Sequence, residues 1–122
     1  MKQVKYFLPL LLAGGFMLQS SVSAFKLKYP KKVNEVIQAK CYGCHNPAGQ
    51  NEKAKTALNW DNLLTMDVME QGKKVKAIAG TLDQGTMPPK MFLERMPDKK
   101  LTADEAKILS AWANKAAKKL MK

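Results

Sequence analysis

At 122 residues the chain has room for one domain. Its 21 Lys and Arg outweigh 10 Asp and Glu, for a formal net charge of +11. Two cysteines and a single histidine leave a closed Cys/His zinc site one ligand short, and they exclude any chemistry that needs two histidines from one chain.

The chain opens with Lys2 and Lys5, runs apolar from Tyr6 to Leu18, and closes that stretch with "QSSVSA". This layout predicts a secretory signal peptide over residues 1–24, cut between Ala24 and Phe25. The apolar run falls short of the about 20 residues a membrane-spanning helix needs, and Pro9, Gly14 and Gly15 interrupt it. The expected mature domain is 25–122, with no membrane anchor and a location in the periplasm or an equivalent compartment.

The mature part reads as all-α. A first helix is predicted from Lys31 to Tyr42, entered at Pro30, with Val33, Val36, Ile37 and Cys41 on one face. A loop is expected from Asn46 to about Leu58. A short helical piece follows over Asp61 to Thr65, then a longer one from Val68 to Ala79, capped by Asp67 and stopped by Gly80. Residues 81–100 hold Gly85, Pro88, Pro89 and Pro97, so they cannot form one continuous helix and read as a long, stiff loop. Thr102 and Glu105 form a capping box for a last helix, whose buried stripe is Leu109, Trp112, Ala113, Ala116 and Leu120.

Both cysteines and the histidine sit together in "QAKCYGCHNPAG". Three chemistries use such a cluster. Zinc lacks a fourth Cys or His, although a carboxylate could serve. A thiol–disulfide switch expects the pair at a helix start after a strand, whereas here a helical pattern precedes it. The third is covalent haem c, for which C-x-x-C-H is the attachment signature. Two thiols three positions apart reach the two vinyl groups of one porphyrin, and the following imidazole faces the iron. Export and the small helical body agree with this reading, which assigns Cys41 and Cys44 as thioether donors and His45 as proximal iron ligand.

Because His45 is alone, bis-histidine ligation within the chain is excluded. Met87, in "GTMPPK", is the expected distal ligand: Gly85 permits close backbone approach, and Pro88 and Pro89 stiffen a strap that a weak thioether ligand needs. Met91 and Met96 are the alternatives within the same loop. A carbonyl near Asn46–Pro47 is expected to accept the His45 Nδ1 proton, unless that stretch is simply a turn.

In this order, "CYGCHN", "NW", "GTMPP" and "LTADEAKILSAWA" resemble small monohaem class I c-type cytochromes, closest to the haem-binding domain family, over residues 31 to 120. The resemblance implies a small cytochrome c-like helical domain wrapped around one covalent haem. It also implies the same four ligands, Cys41, Cys44, His45 and Met87, and a Trp112 packed where the terminal helices meet. A His/Met haem has no open coordination position, which points to an electron shuttle and not an enzyme. Alternatives are a haem that binds CO or NO by displacing a weak distal ligand, and a haem subunit of a larger redox complex. The lysine excess fits either a rim that docks acidic redox proteins or a merely solvated surface. Nucleic acid is not expected as a partner outside the cytoplasm.

Overall fold

Each helix start in the computed structural model, which describes residues 25–122, can be traced to a local cause. The predicted signal peptide, 1–24, lies outside the described residues. Six α-helices follow in chain order: α1 (Lys31–Lys40), α2 (Glu52–Ala57), α3 (Trp60–Leu63), α4 (Val68–Gln84), α5 (Lys90–Arg95) and α6 (Ala103–Leu120), with a 3₁₀ turn at Pro97–Lys99. There is no strand among the described residues, so the fold is all-α as expected.

Pro30 precedes α1, Asn51 and Asn59 cap α2 and α3, and the Asp67 carboxylate accepts the Glu70 N–H at 2.9 Å to start α4. The capping box of α6 is complete: Thr102 Oγ1 accepts from Glu105 N at 3.1 Å, and Glu105 Oε2 accepts from Thr102 N at 2.9 Å.

Four boundaries differ from the sequence reading. The first helix ends at Lys40, and Cys41 and Cys44 occupy the turns after it. The expected loop 46–58 contains α2, an exposed helix with no buried residue and so no apolar stripe to reveal it. The short piece is Trp60–Leu63: it starts one residue earlier than expected because Asn59 supplies its cap, and it ends two residues earlier.

Helix α4 runs through Gly80 to Gln84. An interior glycine costs a helix only about 1 kcal/mol, and packing of Ile78, Ala79 and Leu82 into the core outweighs it. The true stop is Gly85, with φ of 64°, the left-handed conformation that glycine adopts without steric cost. Its N–H and that of Thr86 donate to Leu82 O and Thr81 O, a paired closure of the helix end. The expected long loop is therefore mostly structured. Its first turn belongs to α4, and after Pro88 and Pro89 the proline-free run "KMFLER" forms α5.

Helices α4 and α6 pack most extensively, and α1 packs on α6. Val75, Ile78 and Ala79 meet Leu109, Ala113, Ala116 and Leu120 in the core, joined by Val33, Val36 and Ile37 from α1. Tyr29, Trp60 and Trp112 form an aromatic cluster at its edge. Tyr29 stands edge-on to both tryptophans at 5.6 Å between ring centroids, and the tryptophans are 6.2 Å apart. Trp112 Nε1 donates to Lys28 O at 2.9 Å, so this ring ties α6 to the segment leading into α1.

Candidate functional site

The turn after α1 carries Cys41, Cys44 and His45 in close succession. Cys41 N–H still closes on Ile37 O, while the N–H groups of Cys44 and His45 both donate to Cys41 O, at 3.3 and 3.2 Å. The turn is therefore wound tightly enough to present both thiols and the imidazole locally. Asn46 secures it further, donating from Nδ2 to Tyr42 O and accepting from Ala48 N.

Residues 49–61 form a cradle beneath this turn. Gly49 is buried so close to it that a Cβ would lie 2.7 Å from Cys44 O. Trp60 N–H donates to His45 O at 3.1 Å. The Tyr42 hydroxyl donates to the Asp61 carboxylate at 2.9 Å, and that acceptor raises the Tyr42 pKa.

His45 Nδ1 lies 2.8 Å from Ala54 O and 2.9 Å from Leu58 O, both on or next to the C-terminal turn of α2. Carbonyls only accept, so Nδ1 carries the proton and Nε2 keeps its lone pair free for a metal. This corrects the expected partner near Asn46–Pro47: the acceptors come from a helix whose existence the sequence did not reveal. Burial pushes the Cys41 thiol up to about 11, with the negative charge of Glu105 adding to the effect. Cys41 is thus held as a neutral thiol. Both cysteines are free, and among the described residues no three His, Cys, Asp or Glu side chains gather as a metal-binding cluster.

Cys41, Cys44 and His45 line a cleft, and Met87 lines the same cleft. Gly85 turns the chain out of α4 just before Met87, and Pro88 and Pro89 carry it into α5. Met91 and Met96 are exposed and do not line the cleft. The remaining wall is predominantly apolar, with Ile78, Leu82, Phe92 and Leu109 among its residues.

Lys40, beside Cys41, also borders the cleft. Its ammonium donates to Asp98 O at 2.6 Å and to Lys100 O at 3.0 Å, and lies 3.8 Å from Glu105 Oε2. Lys99 returns the link, donating to Ala39 O at 2.9 Å. The segment after α5 is thereby stitched to the end of α1. A lysine that borders the cleft and ties α1 to the segment after α5 gave no sign of this in the sequence, because its acceptors are backbone carbonyls about sixty positions away.

The arrangement fits a flat, largely apolar ring system with a metal at its centre and acidic groups at its edge. It offers apolar walls, an imidazole with a free Nε2, and two thiols on one turn. Trp60 Nε1 is the telling atom: it is buried, has no hydrogen-bond partner, and belongs to a residue that lines the cleft. An orphaned buried donor is costly, and a carboxylate on a bound group would satisfy it.

Fold and site together define a small all-α haem protein. The chain belongs to the haem-binding domain family, whose family model matches residues 48–115, over half its length. That match begins at residue 48, and Cys41, Cys44 and His45 lie just before it. No curated protein and no solved structure matches the chain.

Proposed function

We propose that this protein is an exported one-electron carrier. In this reading it holds one haem c through thioethers from Cys41 and Cys44, with His45 and Met87 as axial ligands. The observation that carries the proposal is the shared cleft: both cysteines, His45 and Met87 line it, and the other two methionines of the strap region do not.

When bound, the haem supplies an iron that exchanges one electron, and a Met/His pair raises its potential relative to bis-histidine. The chain's own residues supply the rest. The Ala54 and Leu58 carbonyls fix the imidazole plane and increase the basicity of Nε2. Gly85 and the two prolines restrain the Met87 strap, so the geometry changes little between redox states. Apolar walls exclude water. Export rests on the reading of residues 1–24, and the positive charge suits acidic redox partners.

The competing reading is a haem that binds small molecules such as CO or NO by displacing Met87, since a thioether is a weak ligand. The optical spectrum separates the two. Methionine ligation gives the ferric protein a weak band at ~695 nm. Met87→Ala is expected to abolish that band, while Met91→Ala and Met96→Ala keep it. A wild-type protein without the band that takes up CO readily when reduced would overturn the carrier assignment.

A further inference from the structure

A second groove shares none of its lining residues with the cleft. Lys26 and Lys28 border it from the segment before α1, and Lys115 and Lys119 from α6. Phe25 and Trp112 contribute aromatic surface. All four lysines are exposed, none forms an ion pair among the described residues, and the lining includes no carboxylate.

Helix stability does not account for this arrangement. Lysines near a helix C-terminus complement its dipole, which explains Lys119. Lys115 lies one turn earlier, where a like charge four positions away is mildly destabilising. Lys26 and Lys28 come from a different segment, and the Trp112–Lys28 hydrogen bond fixes that segment beside α6. Charge is concentrated here by tertiary structure.

The groove is also connected to the cleft. Trp112 lines the groove, Trp60 lines the cleft, and their ring centroids are 6.2 Å apart. Tyr29 braces both rings and donates its hydroxyl to Trp60 O at 2.7 Å. One layer of packed aromatic rings separates the basic surface from the pocket.

We propose that this groove is the docking face for an acidic redox protein, and that electrons pass between that partner and the haem pocket across the Trp112–Trp60 layer. The proposal rests on the electron-carrier reading. The step moves one electron from the reduced partner to the ferric protein, so the partner is oxidised by one electron and the iron reduced by one. No bond forms or breaks and no proton is transferred. Carboxylates on the partner would pair with the four lysines, and the concave aromatic surface would receive an apolar side chain.

The test is stopped-flow reduction of the ferric holoprotein by photoreduced flavodoxin, used as an acidic one-electron donor. Lys115→Glu/Lys119→Glu is compared with Lys73→Glu/Lys76→Glu, an equal charge change at exposed residues that line neither the groove nor the cleft. The groove variant is expected to lower the second-order rate at least tenfold at low ionic strength, with the difference shrinking as salt rises. The comparison variant is expected to stay within about threefold of wild type, reflecting net charge alone. Equal effects of the two variants, or a larger effect at Lys73 and Lys76, would overturn the docking assignment while leaving the carrier reading intact. If the groove variant instead loses only co-sedimentation with phosphatidylglycerol vesicles, the groove is a lipid-facing surface and the proposal fails. A wild-type protein that flavodoxin cannot reduce at all would remove the carrier reading, and this proposal with it.

Discussion

Gly49 shows how little room the site leaves. It is buried against the motif turn, and an added Cβ would meet the Cys44 carbonyl at 2.7 Å, well inside contact distance. The obstacle is backbone, which cannot swing aside as a side chain can. Gly49→Ala is expected to cost about 1–3 kcal/mol, the range for overpacking a tight site, measured as a lower guanidinium midpoint with unchanged slope. An unchanged midpoint would mean that residues 46–49 yield freely and do not support the turn. At the same scale, C-x-x-C-H could be read directly, because its chemistry depends on spacing within five residues. The Nδ1 acceptors of His45 could not, since backbone carbonyls leave no trace in residue identity.

Helix ends divide in the same way. Side-chain caps at Asp67 and Thr102 were legible because their donors lie three residues along the chain. The end of α4 was misplaced at Gly80 because packing against α6 decides it. Helix α2 escaped notice because its six residues bury nothing, yet its carbonyls orient His45.

The link between the end of α1 and the turn at 97–100 is also invisible locally. It depends on Lys40, whose ammonium is held by two carbonyls and Glu105 while its side chain is only 14% exposed. Lys40→Met keeps the stem and removes the donors. It is expected to cost about 1–2 kcal/mol, in line with loss of charge-assisted hydrogen bonds that are partly shielded from water, read from chemical denaturation. A loss below 0.5 kcal/mol, on the order expected of an exposed ion pair alone, would show that the carbonyl contacts contribute nothing.

For the molecule as a whole, the aromatic cluster joins the segment before α1, α3 and α6, and Tyr29 is its hinge. Burial, with a smaller contribution from Asp61, raises the Tyr29 pKa well above the usual tyrosine value. A folded-state pKa above the unfolded one means full stability below about pH 10. That stability is lost as pH rises further, because the unfolded chain ionises first. The thermal midpoint is therefore expected to fall above pH 10. Tyr29→Phe is expected to flatten that fall, at the cost of about 1 kcal/mol near neutrality from the lost hydrogen bond to Trp60 O. An equally steep alkaline loss in the variant would place its origin in Tyr42 or elsewhere.

The sequence by itself determined the helical class, the capped start of the last helix, the C-x-x-C-H motif and the lack of any histidine besides His45. All of these rest on neighbours within a few positions or on simple counting. Tertiary structure alone decided that Met87 shares the cleft with His45 while Met91 and Met96 do not, that α2 carbonyls fix the imidazole, and that four lysines from two distant segments border one groove. Those relations depend on how α4 and α6 pack and on where Trp60 and Trp112 meet, and contacts between residues tens of positions apart have no local pattern from which to be read.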